Sequence, residues 1–159
     1  MARSVLAFLM LPTMIAGLIP WLLSRGAGGA TWSTPWGSVP GALGALIVVA
    51  ATVSFWRRGR GTLAPWDPPR RLVVEDLYRF NRNPMYVGVT LVVLGWALVT
   101  GHLACWLWSI VVPIAFHLRV VLYEEPTMAA SFGDDWERYR AAVPRWGVTL
   151  TGFRDGNRN

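Results

Sequence analysis

Two acids stand side by side at Glu124-Glu125, where a long apolar run gives way to polar sequence. Carboxylates at a membrane boundary are costly unless solvated or paired. The apolar run reads as a helix ending at these residues, and a helix C-terminus disfavours negative charge. A solvated face would more often carry arginine there, so the pair points to function. His117 lies seven residues earlier, on the same helical face, and roughly 10 Å deeper at about 1.5 Å per residue. It reads either as a hydrogen-bonded packing residue or as a base. Arg82-Asn83-Pro84 reads as a helix start, because proline suits the first turn and pushes the preceding residue out of helix. Such a start offers free backbone N–H groups and a positive dipole end, to which Arg79 and Arg82 add formal charge. It could seat a carboxylate or a phosphate; the other reading is a capped helix with snorkelling arginines. Gly88 and Gly95 share one helical face and allow either helix packing or close approach of a ligand. Neither haem nor zinc is expected: His102 and His117 sit at different depths on one helix, and no ligands cluster.

These groups need elements to position them. With 53% apolar residues in 159, the chain reads as an all-α integral membrane protein, one helical bundle forming a single domain over residues 1–159. Four segments approach the roughly 20 residues that a bilayer core requires. They run from Ser4 to Leu23, Val39 to Trp56, Met85 to Thr100 and Leu103 to Tyr123. Only Gly101-His102 separates the last two, which forces an antiparallel hairpin. The first segment, with Arg3 before its apolar run, also has the pattern of a signal peptide. From Met128 to Tyr139 the pattern is amphipathic, with Phe132, Trp136 and Tyr139 spaced for one face. This predicts a C-terminal cytoplasmic interfacial helix over the hairpin's mouth, ended by Val143-Pro144-Arg145-Trp146.

All 15 basic residues are arginine, and against nine acids they leave a formal net charge of +6. So basic a chain ordinarily raises nucleic acid as a partner. Here the arginines flank apolar spans, and anionic lipid head groups account for them instead. The link between the second and third spans carries Arg57, Arg58, Arg60, Arg70, Arg71, Arg79 and Arg82. The tail carries Arg138, Arg140, Arg145, Arg154 and Arg158. The opposite side has only Arg25. The arginine bias therefore places both termini and the candidate site on the cytoplasmic side of a bacterial-type inner membrane. Trp21, Trp32, Trp36 and Trp106 suit the far interface. Trp66-Asp67-Pro68-Pro69 breaks regular structure in the middle link. The single Cys105 excludes an internal disulfide.

The run Tyr78-Arg79-Phe80-Asn81-Arg82-Asn83-Pro84-Met85-Tyr86-Val87-Gly88 resembles a motif of the isoprenylcysteine carboxyl methyltransferase family. Glu124-Glu125, Met128, Phe132-Gly133, Trp136, Tyr139 and Val143-Pro144-Arg145-Trp146 resemble the tail motif of the same family. Related phospholipid N-methyltransferases share this core. The likeness spans about residues 71–146; the spans over 4–56 match no motif and form a variable part. Asn83 stands where the family more often has histidine, and Trp136 where it has tyrosine. The resemblance implies a membrane methyltransferase that binds S-adenosylmethionine from the cytoplasm and releases S-adenosylhomocysteine. It implies a cofactor pocket lined by Arg82, Asn83, Tyr86, Gly88, Glu124, Glu125, Arg145 and Trp146. The acceptor would be lipophilic and enter from the bilayer. A carboxylate acceptor needs no base; an amine or thiol would need Glu125 or His117. A phosphatidylethanolamine-type amine is the alternative acceptor, and a non-catalytic scaffold that keeps the fold is the rival class.

Overall fold

The computed structural model describes residues 12–26, 33–58 and 72–153, and every regular element among them is a helix. The start of the first expected span, Trp32, most of the middle link and the last arginines lie outside the described residues. The helices are α1 (Met14–Leu23), α2 (Ser38–Arg58), α3 (Pro84–Thr100), α4 (Leu103–Arg119) and α5 (Glu125–Ala142). Two helical stretches, Pro35–Ser54 and Leu103–Ala142, are long and apolar enough to cross a membrane; α1 and α3 are shorter apolar helices. Val39, Leu43, Leu46 and Val49 of α2 and Leu107, Ile114, Leu118 and Leu122 after the hairpin turn are all exposed. Contiguous exposed apolar faces of this kind mark contact with membrane or partner.

Helices α2 and α3 meet along glycines. A Cβ on Gly44 would lie 2.5 Å from the Gly88 carbonyl oxygen, and one on Gly95 would lie 2.8 Å from Gly41. The backbones touch because no side chain separates them. On its other side α3 presents Val89 and Val93 to Val112 and Phe116 of α4, forming a core that Ile15 and Trp108 extend. Gly101, in left-handed conformation, ends α3 with its N–H on the Ala97 carbonyl and opens the tight turn into α4.

Prolines shape α1 and the segment after α4. Pro20 has no N–H to offer a carbonyl one turn back. The turn before it widens to a π-helix over Met14–Leu18, and the Trp108 indole donates to the Ile15 carbonyl at 2.9 Å. The same arrangement recurs before Pro126, where a π-helix covers Val120–Glu124 and the Glu125 N–H reaches the Val120 carbonyl. Here the structure corrects an expectation: the helix does not end at Glu124-Glu125. It passes through the π-turn into α5, and Glu125 opens that helix with its N–H already bonded to Val120. The 40-residue run from Leu103 to Ala142 is about 60 Å long, twice a bilayer core of about 30 Å. Its charged residues begin at Arg119, so the stretch apolar enough to cross ends before α5. Within α5 the backbone breaks once, at Gly133 (φ 48°, ψ −122°), a conformation open to glycine and strained for other residues.

The buried face of α5 follows the sequence pattern. Trp136 and Tyr139 pack with Leu72, Val74 and Val143, and Met128 and Phe132 flank them.

Candidate functional site

A pocket opens where the start of α3 meets the π-turn and the first turns of α5. Its polar wall is Arg82, Asn83, Tyr86, Glu124 and Glu125, and its apolar wall includes Leu72, Val73, Met85 and Met128. The pocket is partly open, with a volume of about 100 Å³.

The loop before α3 is held by the loop after α5. The Arg82 N–H donates to the Pro144 carbonyl at 3.1 Å, and the Thr149 N–H to the Phe80 carbonyl at 3.0 Å. Asn81 Nδ2 donates to the Gly147 carbonyl at 2.7 Å, and Asn83 Nδ2 to the Arg145 carbonyl at 3.2 Å. Tyr139 OH reaches the Tyr78 carbonyl at 2.7 Å. Residues far apart in sequence are thus fixed to one another by backbone groups. Asn83 caps no helix N–H with its side chain; its amide is committed to this strap.

Ion pairs fill the space between strap and helices. Glu125 takes a fork of two bonds from Arg145, Nε to Oε1 at 2.6 Å and Nη2 to Oε2 at 2.7 Å. Arg82 Nη1 reaches the same Oε1 at 3.0 Å. Burial would raise the Glu125 pKa, but the Arg145 hydrogen bonds and the charges of Arg82, Arg145 and Arg140 outweigh it. Together they hold the carboxyl below its ordinary range. Burial likewise lowers the Arg82 pKa, against the pull of Glu125, and arginine stays protonated all the same. Glu124 accepts from Tyr86 OH and, at 2.8 Å, from Arg119 Nε. Arg119 and Glu124 are five residues apart, out of phase on an α-helix; the π-turn between them brings them together. Three arginines thus face two carboxylates, and one positive charge is left over.

Two polar atoms of the pocket residues are buried without any partner: Arg82 Nε and Trp136 Nε1. Each unmet donor costs about 1–3 kcal/mol, so the pair stands out at a cavity wall. The Arg82 guanidinium lies 5.6 Å from the centre of the Trp136 ring.

The structure brings Arg82, Asn83, Tyr86, Glu124 and Glu125 to one cavity and places Arg145 behind Glu125. It sets the other expected residues elsewhere. Gly88 faces α2, where a Cβ would lie 2.8 Å from Gly44 O and from Val48 Cγ2, so its surroundings are those of helix packing. His117 is exposed, and its Nδ1 accepts from the Trp146 indole at 3.0 Å. Neither His117 nor Trp146 lines the cavity. The sequence reading passed over Arg119 and the Trp136 N–H as site groups. Arg119 is signalled only by the π-turn that precedes Pro126, and the Trp136 N–H only by its lack of a partner. Among the described residues no group of His, Cys, Asp and Glu is placed to hold a metal ion.

A sequence model described as phospholipid methyltransferase matches residues 42–135, which takes in the α2–α3 seam, the Arg82 loop and both acids. Over 62 residues the chain is 32% identical to an uncharacterized protein of Haemophilus influenzae, covering 39% of this chain and 98% of that one. Over 73 residues it is 33% identical to the protein-S-isoprenylcysteine O-methyltransferase of Schizosaccharomyces pombe, covering 46% of this chain and 31% of that one. No solved structure matches the chain.

Proposed function

The chain belongs to the phospholipid methyltransferase family, and from that premise we propose that it is a membrane enzyme moving a methyl group from S-adenosylmethionine to a lipophilic acceptor. The observation that carries the reading is the charge balance of the pocket. Arg82, Glu124 and Glu125 line the cavity, and Arg119 and Arg145, outside that lining, pair with the two carboxylates, so the charge of Arg82 is left for the cofactor's carboxylate. The unpartnered Nε of Arg82 is a donor of the right kind for it. When bound, the cofactor supplies an electrophilic methyl group; the protein supplies orientation and exclusion of water.

The acceptor that fits best is a carboxylate. Both acids of the pocket are held by arginines, and Glu125 is kept ionised and a weak base. The Nδ1 lone pair of His117 is taken up by Trp146, away from the cavity. A neutral histidine that accepts at Nδ1 carries its proton on Nε2 and has no lone pair left for a substrate. An acceptor that is already ionised needs none of these groups. The name of the matching family favours a second reading, N-methylation of a phospholipid amine. There Glu125 would have to part from Arg145 to accept a proton. The expected cytoplasmic position of the site and four spans in all belong to the same proposal.

Purified protein incubated with methyl-labelled cofactor and a lipid extract tests this. A labelled lipid whose methyl group is released as methanol by mild alkali supports ester formation. An alkali-stable label moves the assignment to the amine. If S-adenosylhomocysteine shows no binding by calorimetry, the methyltransferase reading itself falls.

A further inference from the structure

We propose that Trp136 is a ligand-binding residue: its indole N–H and the Nε of Arg82 form a two-donor seat for the cofactor's carboxylate. The inference rests on the cofactor reading above. Trp136 is 5% exposed and is fixed by Leu72, Val74, Tyr139 and Val143 around it. An indole that is locked by packing cannot turn its N–H to water. Buried Trp nitrogens normally find a partner, yet this one has none, and its residue lines the pocket. The Arg82 Nε is unmet as well. Arg82 gives Glu125 only its Nη1, whereas Arg145 spends Nε and Nη2 on the same carboxylate. The edge that Arg145 uses to bind a carboxylate is therefore the edge on which Arg82 has its unmet nitrogen. The Arg82 guanidinium lies over the Trp136 ring, 5.6 Å from its centre, so the two unmet donors are neighbours, and one group with two acceptor oxygens and a negative charge would answer both. A carboxylate has both. A neutral amine or the adenine ring would leave the surplus arginine charge unanswered.

The seat adds a neutral donor to a charged one. Arg82 supplies charge, and the Trp136 N–H supplies direction. Pro84 and the strap hold the Arg82 backbone, while the α5 core holds the indole, so both donors are in place before a ligand arrives.

Calorimetry on the purified full chain tests the seat with two ligands, S-adenosylhomocysteine and its decarboxylated analogue. Wild-type protein is expected to bind the intact ligand at least tenfold more tightly than the analogue. Trp136→Phe, which keeps a ring and removes the N–H, is expected to weaken the intact ligand about tenfold and leave the analogue unchanged. Benzothienylalanine at position 136, which keeps the bicyclic ring and lacks the N–H, serves in its place if the phenylalanine variant does not fold. Equal affinity of wild-type protein for the two ligands overturns the seat, whatever the variants do. Equal weakening of both ligands by Trp136→Phe also overturns it, since the ring then acts by packing alone. Unchanged affinity in Trp136→Phe does so too, because a water then meets the indole. Absence of any binding by wild-type protein is a different failure, that of the cofactor reading.

Discussion

Glu125 concentrates the electrostatics of the pocket in one side chain. It neutralises Arg145 through a fork and Arg82 through a single bond. Glu125→Gln would leave two guanidiniums facing each other with one neutral oxygen between them. Charged hydrogen bonds are worth about 1.5–3 kcal/mol each, and Arg145, 31% exposed, belongs at the low end. The variant should therefore melt lower in detergent and bind S-adenosylhomocysteine more weakly. Arg138→Ala, which breaks an exposed surface pair, should change neither. The sign of the pH effect follows from the depressed pKa of Glu125. A carboxylate held below its unfolded value stabilises the fold above the ordinary range and loses that contribution as pH falls through its folded value. Melting temperature followed from about pH 6 to about pH 3 should drop more steeply for wild-type protein than for Glu125→Gln; parallel curves would remove Glu125 from the account. Arg82 and Glu125 were legible in the sequence because charges beside an apolar span require a reason. The unmet Trp136 N–H was not, because periodicity tells which face is buried and not which polar atom stays without a partner.

At the scale of elements, the site depends on how closely α3 can lie against α2. The Gly44–Gly88 contact sets that distance. Gly88→Ala puts a methyl group against backbone that cannot yield, at an expected cost of about 1–3 kcal/mol. The variant should melt lower while the folded fraction keeps its affinity for S-adenosylhomocysteine. Lost affinity at unchanged stability would instead return Gly88 to the ligand. The sequence placed α2, α3 and the α3–α4 turn within a few residues, since apolar length, Asn83-Pro84 and Gly101-His102 are local signals. It misplaced the end of α4. An acid pair after an apolar run looks like a boundary, and only the hydrogen bonds show that a π-turn carries the helix past Pro126 into α5. The same physics acts at Pro20, where Trp108, remote in sequence, meets the freed carbonyl. Neither device could be read locally, because each depends on a partner or a ladder shift that the chain acquires only when packed.

For the whole molecule, the open question is which parts face which side of the bilayer. Two stretches are long and apolar enough to cross; α1 and α3 pack against them through the Val89–Val93 core and the glycine seam. Packing in antiparallel order makes α3 a crossing if α4 is one, since one left-handed Gly101 reverses the chain between them. The strap then brings the residues after α5 to the start of α3, so both must lie on one side. The proposal that this side is the cytoplasm rests on arginine counts: the described residues there include Arg79, Arg82, Arg138, Arg140 and Arg145, and those of the opposite side Arg25. Single cysteines probe this without disturbing the core, because the native Cys105 is 1% exposed and should stay silent to a membrane-impermeant maleimide. Ser33→Cys is expected to label only from outside intact cells, and Asp134→Cys only in inverted vesicles. Labelling of both positions from one side would break the four-span arrangement. Labelling with the sides exchanged would keep the spans and put the pocket, with its surplus arginine charge, on the wrong side for a cofactor made in the cytoplasm.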